Sequence, residues 1–544
     1  MRTTFFRSFF IILLAAAMVL CCIGCKSENK DNSSITPASA GPKPGTDADP
    51  SDLTAEAGMP LTDTPVKLSL WMPLVPNQTA VLNTLSENEV FKELQRRTNV
   101  EIEFIHPAVG DGPTNLNLLI ASNKLPDMIQ IRGVGEYYAK GGDDGVENGV
   151  FIKLNDLIEK NAPNFNKLMS ENPDIKKEVV TDNGQFWGFP MIEKDIQPAW
   201  AGFVVRKDWL DDLYLETPVT YDDWYTMLKK FRDEKEAAAP LLLESNATFG
   251  FSNMLAGFGV AEELYVENGK VKYGPMEPGW LEYVTMMNKW FSEGLIDKSF
   301  TTRDSSAQDQ LKATEQAGVW SDGCWNLSIF TDLLREKDKD AQVVALTSPV
   351  KSKGQVNHLR QTNHHNREMY LAITPKCKEP EIAVRWIDYL YSQEGSFMAN
   401  FGLADSHELV DGQYQLSEKI MKDPKGIPSS QIMNKYVLHE FSYVRDWMRD
   451  YRQAPQNVID SMEIWNTADD SWVLPPVSLN AAESASYQKI FPDVGAIVFE
   501  HRTQFINGKK PLSEYNAMVS TIKKVGMDEV IAAYQAAYDR YKKR

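Results

Sequence analysis

Between Val66 and Ile131 the chain alternates between a hydrophobic period of two and one of three to four. Val66, Leu68 and Leu70 alternate with Lys67 and Ser69 and end at Trp71, as expected of a strand with one buried face. Val90, Phe91 and Leu94 then line one face of a helix, with Ser86 and Glu89 spaced as a capping box at its start. Val100, Ile102 and Phe104 alternate with Glu101 and Glu103 in a second strand; Leu116, Leu119 and Ile120 stripe a second helix; Pro126-Asp127 leads into a third strand, Met128 to Ile131. Strand–helix–strand–helix–strand with short connections predicts a right-handed βαβαβ unit with a parallel sheet. Ligands of such sheets bind beyond the carboxyl ends of the strands, which places Trp71 to Asn77 and Arg132 to Tyr137, with Glu136 among them, on one rim.

A second series of elements follows a helical, loop-rich stretch. The aromatic loop Phe186-Trp187-Gly188-Phe189-Pro190 precedes an apolar strand, Gly202 to Val205. Thr220 with Asp223 caps a helix whose Trp224, Met227, Leu228 and Phe231 share a face. Tyr265 to Tyr273 reads as a hairpin about Asn268-Gly269, a dipeptide that accepts the positive φ of a type I′ turn. Glu282 to Phe291 forms an amphipathic helix ending at Gly294, Met369 to Thr374 a strand, and Ala383, Trp386, Ile387 and Leu390 the stripe of another helix. The region reads as a second α/β lobe.

The N-terminus has a different character. Arg2 and Arg7 precede an apolar run of 15 residues, Phe9 to Ile23, short of the ~20 needed to span a bilayer, and Gly24 then precedes Cys25. From Lys26 to about Pro65 large apolar side chains are almost absent, so the segment cannot offset its ordering entropy and reads as a tether. A flexible coil of that length spans about 35 Å. The N-terminal run resembles a bacterial lipoprotein signal, which implies cleavage before Cys25 and acylation of that residue.

The formal net charge of −18 becomes −20 once Arg2 and Arg7 are removed, because residues 1–24 carry no acidic side chain. This argues against a nucleic-acid partner, whose phosphates require clustered Lys and Arg. Of five cysteines, Cys25, Cys324 and Cys377 remain in the mature chain, and the last two are expected to be free. There is no G-x-S-x-G elbow, H-E-x-x-H, P-loop or paired C-x-x-C, and Asp182-Asn183-Gly184 lacks the spaced carboxylates of a calcium loop. Adjacent His364 and His365 would face opposite sides of a strand, so no metal and no cofactor is expected.

Tryptophans are more suggestive. A flat indole covers the C–H face of a sugar ring while neighbouring polar side chains bind its hydroxyl fringe. Trp71, Trp200, Trp325 and Trp472 lie outside obvious helix stripes, and Trp325 follows Asp322 and Gly323 in one loop. Asn77, Arg132, Glu136, Asn253 and Asp322 are the candidate polar partners.

The order of these elements resembles the family-1 extracellular solute-binding proteins, particularly the large Gram-positive lipoproteins that serve carbohydrate ABC transporters. The resemblance is carried by Val66 to Trp71, Leu125-Pro126-Asp127, Trp187-Gly188-Phe189-Pro190, Val205 to Leu210, Tyr265 to Lys270, Asn288 to Asp297, and the Trp386 helix through Gln393-Glu394-Gly395. It implies an α/β, two-lobed periplasmic-binding-protein-like fold of type II, with ligand clamped between lobes joined at a hinge and Trp325 as a stacking aromatic. The expected boundaries are a signal at 1–24, lipidated Cys25 and tether at 25–65, first lobe 66–198, second lobe 199–350, a return to the first lobe at 351–395, and completion of the second lobe with C-terminal helices at 396–544. The implied function is a monomeric, membrane-anchored receptor passing an oligosaccharide to ABC permease subunits, with no catalysis. The runner-up class, a secreted carbohydrate-active enzyme, is supported only by export, acidity and tryptophans, and a lipoprotein binding peptides or other solutes, or feeding a sensor, is the third class.

Overall fold

The computed structural model describes residues 58–133, 137–138, 140–243 and 253–544; Cys25, the tether and Glu136 lie outside them. Fourteen strands occur among these residues: β1 Val66–Trp71, β2 Val100–Ile105, β3 Met128–Arg132, β4 Phe189–Glu193, β5 Ala201–Arg206, β6 Ala239–Leu241, β7 Leu264–Glu267, β8 Lys270–Tyr273, β9 Ala317–Gly323, β10 Val343–Leu346, β11 Asn366–Ile373, β12 His407–Val410, β13 Gln413–Leu416 and β14 Val444–Arg445. No helix among the described residues is long and apolar enough to cross a membrane.

Two sheets organise two α/β lobes. The first has the order β14-β4-β11-β3-β1-β2, and the second β10-β5-β9-β6. In the first, β1 pairs in parallel with β2 and β3, as the βαβαβ pattern requires. Its core gathers Leu68, Leu70, Val90, Phe91 and Leu94 with Trp386, Ile387, Phe441 and Tyr443. The second lobe buries Phe203, Trp224, Phe231, Trp280 and Trp290 together with Val494, Phe505, Ile522 and Val530 of the C-terminal helices.

Three expectations change in detail. Asn88, not Ser86, caps the helix Glu89–Thr98: its carboxamide oxygen accepts from the amides of Val90 and Phe91, because a 3-10 turn occupies Leu85–Glu87. The strand β4 begins in the last two residues of the stretch read as an aromatic loop and went unread, since all five of its residues are buried and no period-2 alternation marks it. The return to the first lobe runs to about residue 450 rather than ending at 395. Leu438, Phe441 and Tyr443 fill the first core and β14 pairs with β4, and the chain rejoins the core of the second lobe at Tyr451 and the helix Gln456–Trp465. Thr220–Asp223 forms the expected capping box, and Asn268 and Gly269 turn the β7–β8 hairpin with φ of 53° and 76°.

Strand directions define the rims. In the first sheet β11 runs antiparallel to β3 and β4, so the ends of β3, β4 and β14 share one edge with the start of β11. In the second, β6, β9 and β10 end where β5 begins. The chain passes from Glu193 to Ala201 through seven residues, at most about 29 Å even if fully extended, so the two rims lie no farther apart than a short crossing. Residues 347–365 make a second crossing and 446–455 a third.

Candidate functional site

On the second-lobe rim, Trp325 follows β9 and Trp200 precedes β5, two positions brought together because Ala201 pairs with Gly323. Their rings stack with centroids 5.0 Å apart and planes at 25°. Trp325 is 47% exposed, an unusual state for so large an apolar surface. Gly323 permits this packing, since a Cβ there would meet the Trp325 ring at 2.7 Å. Trp200 is held from behind: its amide donates to Gln361 Oε1 at 2.8 Å and its indole N–H to Asn363 Oδ1 at 3.3 Å. Asn363 in turn donates to the carbonyls of Gln197 and Pro198, so the two crossings brace the stack.

Asp322 supports this loop from within. Its carboxylate accepts from Trp320 Nε1 at 2.9 Å, Lys312 Nζ at 3.3 Å, Asn326 Nδ2 at 2.6 Å and the Gly323 amide at 2.9 Å. Those donors occupy both oxygens of a side chain only 8% exposed. Asp322 therefore positions the loop rather than presenting a free acceptor.

Beside the stack a cavity of about 210 Å³ opens at the root of the crossing, lined by Ala201, Gly202, Asn253, Asn357, Arg360, Gln361 and Trp465, among others. Asn253 is 6% exposed and its amide nitrogen has no partner among the described residues. Gly202 is required here, because a Cβ would meet Trp465 Nε1 at 2.4 Å, and that nitrogen donates to the Phe203 carbonyl at 3.0 Å. A larger open groove of about 920 Å³ lies wholly in the second lobe, between the helices Tyr221–Glu234, Pro278–Ser292 and Tyr515–Val525. It touches neither rim.

Trp472 packs against His358, with centroids 4.9 Å apart, and more loosely against Tyr265. His358 Nδ1 lies 2.9 Å from the Asp469 carboxylate. On the first-lobe rim, Asn77 is exposed after β1, and Arg132 Nε sits 2.9 Å from Glu440 Oε2. Trp71 is fully buried: its indole N–H donates to Asn115 at 2.9 Å and its ring meets Tyr137 edge-on, so it belongs to the core. The structure thus joins Trp200, Asp322, Trp325 and Asn253 around one rim and sets Trp71 apart.

Sequence reading missed the charged network at the crossings. Glu193, fully buried at the end of β4, accepts from Arg445 Nη1 and lies 3.5 Å from Arg367 Nε. Arg445 also donates to Asp450 at 2.8 Å, and although burial opposes it, Arg449 and Arg445 hold the Asp450 carboxyl far below the usual range. Burial lowers His364 despite the nearby Asp470. The polar run Arg360 to His365, between two apolar strands, was the available signal.

The family model for bacterial extracellular solute-binding proteins matches residues 83–396. The fructooligosaccharide ABC transporter substrate-binding protein FusA of Streptococcus pneumoniae is 23% identical over 497 residues, covering 84% of this chain and 87% of FusA. The polygalacturonan/rhamnogalacturonan-binding protein YtcQ of Bacillus subtilis is 21% identical over 502 residues, covering 90% and 95%. The crystal structure of the alginate-binding protein AlgQ2 without calcium ion matches with a TM-score of 0.71 at 22% identity, covering 88% of this chain and 99% of that one.

Proposed function

Since the chain belongs to the bacterial extracellular solute-binding proteins, we propose that it captures an oligosaccharide between its lobes and hands it to an ABC transporter permease. The observation that carries this is the exposed face of Trp325, fixed on Trp200 at the rim and braced from both crossings. A rigid aromatic plane beside a polar cavity suits a ligand with C–H faces and hydroxyl edges. The fructooligosaccharide named for FusA and the polygalacturonan/rhamnogalacturonan named for YtcQ support a carbohydrate ligand.

Binding works by closure. Ligand touching both rims favours the closed arrangement by its differential affinity, so a permease that recognises that arrangement receives loaded protein first. The lobes are taken as described residues to 193, 366 to about 450, and the remainder, with hinge segments at 194–200, 347–365 and 446–455. Cys25, acylated after removal of 1–24, anchors a monomer to the outer face of the cell membrane through its tether, and no covalent step is involved.

A panel of oligosaccharides tests the reading by thermal shift and tryptophan fluorescence. At least one member is expected to raise the melting temperature and change the emission. Hydrolysis of the best binder on prolonged incubation would instead establish the enzyme.

A further inference from the structure

The cavity beside the Trp200–Trp325 stack is a recess rather than a channel for a chain. Its volume of about 210 Å³ is below the ~300–1,000 Å³ of sites that enclose a whole drug-sized ligand, so it has room for one sugar ring. Gly202 of β5 and the Trp465 ring line it and pack directly on one another, which closes one side. Other walls come from the second crossing, through Asn357, Arg360 and Gln361, and from Thr467 and Ala468 beyond the helix Gln456–Trp465.

Its polar lining is unevenly engaged. Four carboxamides lie on it, and three are bonded to backbone: Gln355 donates to the Gly257 carbonyl at 2.8 Å, Asn357 Oδ1 accepts from the Leu359 amide at 2.9 Å, and Gln361 Oε1 accepts from the Trp200 amide at 2.8 Å. The fourth, Asn253, keeps a buried nitrogen with no partner among the described residues. Arg360 donates from Nη1 to Asn466 at 2.7 Å and holds Asp470 3.1 Å from Nη2, while its Nε is likewise buried and unpaired among the described residues. On this lining the buried side-chain polar atoms left unpaired are thus two nitrogens, and both are donors. Buried donors are costly to leave unmet, so a ligand that brings oxygen acceptors here forms bonds the protein does not make for itself.

We infer that this cavity reads one end of the oligosaccharide: it takes a terminal ring, Asn253 Nδ2 and Arg360 Nε donate to that ring's oxygens, and the rest of the chain leaves past Trp325. This rests on the cleft being an oligosaccharide site. A linear chain can place only a terminal ring in a recess closed on one side, so Asn253 and Arg360 determine which terminal sugar is accepted, while the Trp325 plane tolerates any ring with a C–H face.

Calorimetry of the mature protein tests this, first with unmodified fructo-, malto- and xylo-oligosaccharides, then with the best binder benzylated on one terminal ring or on the other. At least one of the two blocked forms is expected to bind wild type at least tenfold more weakly than the parent. Asn253→Leu, which keeps the branched shape and removes the donor, is expected to weaken the parent at least tenfold with an unfolding midpoint at or above that of wild type, because an unpaired buried amide is gone. A merely structural role for Asn253 predicts the reverse, a lower midpoint with unchanged affinity. Full affinity in both blocked forms, or in Asn253→Leu, overturns the inference and leaves the oligosaccharide reading standing. No binding by any unmodified oligosaccharide removes that reading and the inference with it. Should Asn253→Leu fail to fold, the two blocked forms decide alone.

Discussion

Trp200 and Trp325 lie 125 residues apart in the chain and stack at 5.0 Å, because antiparallel pairing of β5 with β9 sets Ala201 opposite Gly323. The stack keeps one indole face of Trp325 covered and leaves the other to solvent. Its geometry depends on Asp322, two residues before Cys324 at the end of the same strand.

Replacing Asp322 with Asn should therefore loosen the loop before it affects any ligand directly. Lys312, whose side chain is 7% exposed, would keep only the exposed Asp309 as a charged partner. The expected loss is about 2 kcal/mol of stability, as for a hydrogen bond to a buried charge. Urea unfolding of the variant measures it, and a change below about 0.5 kcal/mol, the range of ordinary surface substitutions, would contradict the role assigned to Asp322.

The C-terminal helix ties the lobes together. Its Val530 and Met527 lie in the second core, while Arg540 and Arg544 reach Asp182 beside the helix Pro173–Val179 of the first lobe. Arg544 also donates to the carbonyls of Val180 at 2.8 Å and Lys177 at 3.0 Å. Asp182→Asn should accelerate amide exchange at least tenfold in residues 536–544 and leave β1 and β3 protected. Unchanged exchange at the last turn would mean that Arg540 holds through its ion pair with Glu483 and Arg544 through the two carbonyls alone.

Asp388 gives a pH dependence. It accepts from the Phe165 amide at 2.8 Å, the Asn164 amide at 3.2 Å and Asn164 Nδ2 at 2.9 Å, capping the helix Pro163–Glu171, yet burial dominates and pushes its carboxyl up to about 6. An acid whose folded value exceeds its unfolded value of about 4 takes up a proton on folding, so its contribution is full below about pH 4 and is lost as pH rises through about 6. Two units correspond to roughly 3 kcal/mol. Between pH 4.5 and 7, Asp388→Asn should lose less stability than wild type in urea titrations; parallel slopes would show that Asp388 does not titrate in this range.

Much of the fold was legible because its signals are local. The alternation of Val66 to Trp71, the Thr220 cap and the Asn268-Gly269 turn each specify their element within a few residues. Phe189–Glu193 was lost because a strand buried on both faces has no alternation to read. The site was half legible: an aromatic in a Gly-containing loop pointed to Trp325, but Trp71, the last residue of an alternating strand, is core. Gln361 and Asn363, which fix Trp200, lie in no motif and become partners only through the crossing. The extension of the first lobe to about residue 450 was illegible for a similar reason, since β14 is two residues long and finds β4 by tertiary packing.

The measurement closest to the central claim is the affinity of Trp325→Ala for the best-binding oligosaccharide, by calorimetry beside wild type. Loss of a buried aromatic anchor predicts binding weakened by about 2 kcal/mol, roughly thirtyfold, with the unfolding midpoint nearly unchanged because that ring is 47% exposed. Equal affinity in the two proteins would place the ligand elsewhere and contradict the account.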